Sequence, residues 1–214
     1  MFDNLVTYHI YRRNPLPVNQ ALAYQYILAG NGVFIRAETS YFAALLPIAP
    51  CAVRGLPSLK AQFKLKIPRI PAHLLAAVLT DARRARQPDG RRPDNGLPVV
   101  ELNEVLYQFH HDNQTVQVKK PPQSVTGVSV TAVTHHPPTL FCDLHSHGNM
   151  RAFWSGTDNA DEQGSLLYAV IGKLDSEPEI RLRVGVYGYW MALPITAVFT
   201  SAGPFKDLHE EKPS

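Results

Sequence analysis

The 214-residue chain has only two cysteines, Cys51 and Cys142, 91 positions apart. Two such residues build no disulfide framework and no CxxC metal knuckle, so reduced, buried thiols are expected. Long apolar runs are also lacking: no stretch approaches the roughly eighteen consecutive apolar residues of a membrane span. Met1 to Arg13 is polar and mixed and has no apolar core of signal-peptide length, so a cytoplasmic protein is expected. Neither charge sign dominates. With 21 basic and 18 acidic residues the net charge is +3, too mild to argue for a nucleic-acid partner. Internal repeats and low-complexity segments are missing as well.

What is present fits a globular protein. Hydrophobic residues make up 45% of the chain and charged residues 18%, enough to bury a core in one domain, or in a small domain with an extension. Arginines 83, 84, 86, 91 and 92 cluster and read as a solvated helix end and loop.

The first 66 residues read as short strands and turns. Tyr24–Leu28 and Val33–Arg36 flank Gly30-Asn31-Gly32, a hairpin whose turn needs positive φ angles. Tyr41–Ile48 is an apolar run ended by Pro50, and Lys60–Ile67 alternates with strand period. After Pro68, Pro71 suits a first helical turn, and Leu74, Leu75, Val78 and Leu79 carry a helix over Ala72–Arg86. Gln87–Pro98 is a loop by composition. Sheet follows: Val99–Phe109, a turn at His111-Asp112-Asn113, Thr115–Lys119, Ser124–Val133 and Thr139–Leu144, with loop and turn over Gly148–Asp161. Strands Ser165–Leu174 and Glu179–Tyr189 complete it, and the charged stretch 206–214 reads as a disordered tail. The organisation expected is a β-rich extension over 1–66 and an α/β (α+β) domain over 67–205.

The chemistry concentrates after Leu144. His145 and His147 flank one residue, so on a strand both side chains leave the same face. Asp158, eleven residues beyond His147, can return to the same point through a short loop and helix start. Two imidazoles and one carboxylate are a catalytic zinc set, with the fourth position left for water. A zinc hydrolase also needs a base for the water proton. Glu101 and Glu104 lie near the start of the 99–109 strand; Glu101 shares parity with Val105 and Tyr107, Glu104 with Leu102, Leu106 and Gln108, and periodicity does not choose between them. Ser155 is placed to donate to the oxyanion of a tetrahedral intermediate, or else to cap a helix. Trp154 reads as packing. The adjacent pairs His110-His111 and His135-His136 occupy loop positions and are not read as ligands.

Asp143-Leu-His-Ser-His147 also resembles the DLHxH opening of polymerase-and-histidinol-phosphatase-type phosphoesterases. Those need a long barrel with further ligands downstream, and here only 67 residues follow His147, with one histidine among them, His209. The fuller pattern is an upstream glutamate, His145-Ser146-His147, seven residues, Ser155, two residues, Asp158. It resembles the JAB/JAMM (MPN-type) metalloprotease signature over about residues 68–200. The stretch from His145 to Gly164 is similar to the JAB-like members of the bacterial PRTRC cassette, which also carries ThiF-like and ubiquitin-like proteins. The resemblance implies a mixed β-sheet flanked by helices, one zinc ion per chain on His145, His147 and Asp158, and Ser155 in support. It also favours Glu101 as the base, because apolar Val105 and Leu106 follow it at the family's positions. The activity implied is hydrolysis of a peptide or isopeptide bond at the C-terminus of a ubiquitin-like protein, with a ThiF-like activating protein as a possible further partner. Alternatives are a non-catalytic scaffold of the same fold and a hydrolase of a small amide. The residue after the second histidine departs from the family pattern: Gly148 stands where proline is usual.

Overall fold

The computed structural model describes residues 4–88, 100–112, 115–125, 130–132 and 137–209. They form a mixed α/β protein of two main sheets with few helices, divided into two compact units. The first unit runs to Pro68 and takes in Ala160–Ser165 and Val184–Met191; the second holds the rest. No helix among the described residues is long and apolar enough to cross a membrane.

The first unit is a five-stranded sheet in sequential order: β1 (Val6–Ile10), β2 (Tyr24–Ala29), β3 (Gly32–Glu38), β4 (Phe42–Pro50) and β5 (Gln62–Leu65). The hairpin expected at Gly30-Asn31 is β2–β3, closed by Ala29 opposite Gly32. Gly30 is required there because a Cβ would collide with the Leu56 carbonyl. Asn31 is the anchor: its amide donates to the Leu59 carbonyl at 2.9 Å, and its carbonyl accepts the Leu59 N–H at 2.8 Å. The apolar run and the alternating stretch become β4 and β5, paired antiparallel. β1 lay outside the sequence expectation. It pairs parallel to β2, so its partner comes from across an intervening loop rather than through a turn. The buried face of β2 places Ile27 and Ala29 in a core with Tyr11, Phe34, Leu45 and Leu59.

The second unit opens with α1 (Ala72–Ala82), started by Pro71 in an extended conformation. Leu75, Val78, Leu79 and Ala82 are buried at the helical period, each large one contributing about 1.5–3 kcal/mol by burial. The helix stops four residues short of the expected end. Arg83 is its C-cap, and its Nε donates to the Leu174 carbonyl. Arg86 forms an ion pair with Asp175 at 2.6 Å. Both arginines are exposed, as expected of a solvated helix end, while each also reaches a neighbouring turn, and Arg86 opens a strand, β6 (Arg86–Pro88), at the edge of the expected loop. Residues 89–99, including Arg91 and Arg92, lie outside the described residues.

β6 pairs with β7 (Val100–Leu102). The single strand expected over 99–109 is broken: Asn103-Glu104-Val105 leave the ladder before β8 (Leu106–Asp112) begins. Then come β9 (Thr115–Lys119), β10 (Gln123–Val125), β11 (Val130–Ala132), β12 (Leu140–Ser146), α2 (Gly156–Asp161), β13 (Ser165–Gly172), β14 (Glu179–Val186), β15 (Tyr189–Leu193) and β16 (Lys206–Asp207). The turn after Asp112, the middle of the expected 124–133 strand, and the His135-His136 pair fall at least partly outside the described residues. The seven-stranded sheet runs β15-β14-β13-β12-β8-β9, with β16 on β14. β12 lies parallel to β13 and antiparallel to β8. The loop and α2 between β12 and β13 form the crossover that a parallel pair needs. Tyr187 and Gly188, with φ of 46° and 82°, make the two-residue turn between β14 and β15. The start of the expected tail is ordered: Lys206 and Asp207 pair with Glu179 and Ile180, and Asp207 accepts the Ile195 N–H at 2.9 Å. Phe141, Cys142, Leu144, Leu167, Val170 and Ile171 give the sheet a fully buried centre, which is why β12 and β13 read as continuous apolar runs.

Candidate metal centre

The end of β12 sets the geometry. His145 is paired with Leu106 of β8 on one side and Val170 of β13 on the other, so the backbone under the first histidine is held from both flanks. Period two then turns His145 and His147 to one face and Ser146 to the other. Ser146 is fully buried there, and its Oγ accepts the Val105 N–H at 3.0 Å while its own N–H donates to the Val105 carbonyl at 2.9 Å.

The two imidazoles converge. Their Nε2 atoms are 3.1 Å apart, with ring centroids at 4.9 Å. Asp158, in the first turn of α2, brings Oδ1 to 3.2 Å from His145 Nε2 and Oδ2 to 3.9 Å from His147 Nε2. All three donor atoms lie within 4.8 Å of one another, and they are the one such group among the described residues. Zinc–nitrogen bonds of about 2.05 Å at a tetrahedral angle put ligand atoms roughly 3.3 Å apart. The observed 3.1 and 3.2 Å separations fit that spacing, so the residues present fit a zinc ion.

Ser155 holds the carboxylate. Its N–H donates to Asp158 Oδ2 at 2.6 Å, and its Oγ accepts the Asp158 N–H at 3.1 Å. This is a reciprocal capping arrangement at the start of α2, and the Ser155 hydroxyl also bonds the Asp158 carboxylate and helps to hold it ionised. The segment between the second histidine and Ser155 is tied down as firmly. Gly148 has φ +54°, and a Cβ there would press on Leu102 at 3.1 Å. Proline, fixed near −65°, cannot take that conformation, which accounts for the glycine. The Gly148 and Met150 carbonyls accept the N–H groups of Leu174 and Lys173, Asn149 and Asp175 bond each other twice, and buried Glu179 accepts the Ala152 N–H at 3.3 Å. Glu179 is itself paired with Lys173 at 2.6 Å. Gly172 is required beneath, because a Cβ would fall on the Met150 carbonyl and the Ala152 nitrogen. Aromatic rings complete the surround: Phe153 meets His147 edge-on at 4.5 Å, and Trp154 lies 6.3 Å from His145 with the Arg183 guanidinium over its face at 3.8 Å.

Glu104 sits in the break between β7 and β8, one residue before the Val105 clamp, and is 7% exposed. Burial pushes its carboxyl up to about 7; the nearby His145 charge pulls it down and Asp158 pushes it further up. It is thus in electrostatic contact with two of the three donors. Glu101 lies in β7 opposite Gln87, three residues further from the clamp. Parity along one strand did not separate these glutamates because the strand is interrupted between them. Burial lowers His147 to about 4, reinforced by His145 and opposed by Asp158 and the Arg151 backbone, so this ring is neutral and ready to ligate at pH 7. Burial alone would raise Asp158, but the His145 hydrogen bond and charge and the Ser155 contacts hold it well below the usual carboxylate range. His110 is buried elsewhere, its Nδ1 3.1 Å from Thr139 Oγ1, and takes no part.

No curated protein matches this chain. A family model described as prokaryotic homologs of the JAB domain matches residues 76–185, a span that holds the C-terminal part of α1, both glutamates, the two histidines, Ser155 and Asp158. Its fold is the JAB/MPN-like α+β arrangement, and the match covers more than half of the 214 residues. The chain belongs to the family of prokaryotic JAB-domain homologs.

Proposed function

We propose that this protein is a JAMM-type zinc metallopeptidase that hydrolyses a peptide or isopeptide bond at the C-terminus of a ubiquitin-like protein. The observation that carries the reading is the convergence of His145, His147 and Asp158 beside a buried glutamate with its carboxyl near pH 7. Zinc on these three residues supplies Lewis acidity, which polarises a carbonyl and lowers the pKa of water to about 7.

The protein's own groups divide the remaining work. Glu104, rather than Glu101, takes the proton of the attacking water as its oxygen bonds the scissile carbonyl carbon. It returns that proton to the nitrogen as the C–N bond breaks, giving an acid and a free amine. Burial holds this carboxyl up at about 7 in the metal-free fold, and a cation bound beside it would draw it down towards the ionised form that accepts the proton. Ser155, whose hydroxyl bonds the Asp158 carboxylate in the resting site, turns its hydrogen to the developing oxyanion. The strapped 148–152 segment keeps His147 in place without the proline usual in relatives of this type.

The full donor set supports the enzyme over a scaffold of the same fold, since a scaffold needs neither the ligands nor a buried base. A ubiquitin-like substrate and a ThiF-like activating partner belong to the same proposal. The test is incubation of the purified protein with a ubiquitin-like protein carrying a C-terminal fusion, with and without chelator, together with metal analysis. About one zinc per chain and chelator-sensitive cleavage are expected. A protein that binds no zinc and cleaves nothing is the scaffold instead.

A further inference from the structure

The first unit carries a surface that the metal centre does not use. β1 is the edge strand of the five-stranded sheet and, among the described residues, pairs only with β2. The Tyr11 N–H donates to the Leu28 carbonyl. By the alternation of a parallel ladder, Tyr8 and Ile10 turn their backbone N–H and C=O groups to the open side. Their side chains are exposed too, Tyr8 by 78% and Ile10 by 46%. Tyr8 stacks on Tyr26 with ring centroids 5.9 Å apart. An open hollow of about 590 Å³ lies beside them, lined by Tyr8, His9, Ile10, Tyr26, Leu28 and Val33. An open edge with exposed apolar side chains is a template for strand addition and marks an interaction site.

Charge names the occupant. Residues 4–68 contain seven lysines and arginines and a single acid, Glu38, although the whole chain is nearly balanced. Arg12 and Arg13 lie one residue beyond β1, after buried Tyr11, and are exposed, with no ion pair among the described residues. Lys66, by contrast, is occupied by Glu38. The aromatic faces argue against single-stranded nucleic acid: Tyr8, Tyr24 and Tyr26 are already packed against one another, not spread as separate platforms for bases.

We infer that β1 is a docking edge for an extended, acidic segment of a protein partner, which adds as a further strand, sets a bulky apolar side chain into the Tyr8–Tyr26–Val33 hollow and places its carboxylates against Arg12 and Arg13. Backbone hydrogen bonds give the pairing, the hollow chooses the side chain, and the arginines fix direction. This docking is independent of hydrolysis at the metal centre.

The full chain is titrated by fluorescence anisotropy with three labelled probes: a decapeptide alternating Leu or Phe with Glu, the same peptide with Lys for Glu, and an oligothymidine. Saturable binding of the acidic peptide is expected, weakening with salt. Tyr8→Ser and the double change Arg12→Glu, Arg13→Glu should each weaken it tenfold or more. Ile10→Pro, which removes an outward N–H and no ladder bond, should do the same, with circular dichroism confirming the fold. No saturable binding of the acidic peptide overturns the inference, as does equal affinity for the basic peptide or tighter binding of the oligothymidine. Unchanged affinity in Tyr8→Ser, whose exposed side chain is not needed for folding, overturns it as well.

Discussion

The Ser146 hydroxyl accepts the Val105 N–H at 3.0 Å, inside a fully buried corner where Ser146 and Val105 also share a backbone hydrogen bond. The middle residue of the histidine motif thereby holds the chain one residue past Glu104. The proposed base and the candidate metal ligands are thus not positioned independently: one side-chain oxygen links the two segments that carry them.

Ser146→Ala tests that link. It leaves the Val105 N–H buried without its acceptor, a loss of about 1–3 kcal/mol, and frees the Glu104 break to shift. The expected outcome is a lower urea midpoint and at least a tenfold lower kcat, with zinc stoichiometry unchanged because both histidines remain. Loss of zinc in step with activity would show instead that Ser146 supports the ligands alone.

Glu104→Gln separates catalysis from stability. The ordinary carboxyl value of 4.5 is raised to about 7 in the fold, so folding disfavours the ionised form. That cost is absent below pH 4, grows as pH rises through 4.5 to 7, and is then complete, at a ceiling on the order of 3 kcal/mol. Removing the charge should therefore stabilise the metal-free protein by about 1–3 kcal/mol at pH 8 and by nothing at pH 4, while cleavage is abolished with zinc still bound. Glu101→Gln should leave activity intact. Denaturant melts at the two pH values, with a cleavage assay, decide the assignment.

Much of this site was legible in the chain because strand periodicity and fixed spacing are local. The His145/His147 pair on one face, Asp158 on a helix start and α1 beginning at Pro71 all follow from residues close in sequence. What escaped depends on long-range pairing. β1 takes its parallel partner from fourteen or more residues away, and no local turn announces it. The proposal of Glu104 in place of Glu101, which the resemblance favours, rests on a strand break held by Ser146, 41 positions from Val105. The arginines at 83 and 86 are exposed as expected, but their acceptors on the Leu174–Asp175 turn lie 91 and 89 positions away, beyond any local pattern.

Ser155→Ala probes the cap beneath the third ligand. Losing the acceptor for the Asp158 N–H costs about 0.5–2 kcal/mol of local stability and leaves the carboxylate less firmly placed. Zinc affinity should fall measurably, but by less than in Asp158→Ala, which removes a ligand outright. Competition with a chromophoric chelator ranks the two variants, and equal loss in both would mean that the cap, not the carboxylate, dominates binding.

Gly148→Pro puts back the residue usual in the family, and here it should do harm. Position 148 has φ +54° and lies against Leu102. Proline cannot reach that angle, and even alanine must accept a left-handed conformation costing about 1–2 kcal/mol. The 148–152 strap would have to rebuild its bonds to Leu174, Lys173 and Asp175. His147, whose backbone leads directly into that strap, would move with it. Gly148→Pro should therefore lower both thermal stability and zinc affinity, and Gly148→Ala should show a weaker form of the same two losses. A proline variant as stable and as zinc-tight as the parent would mean that this loop takes the ordinary family conformation in solution.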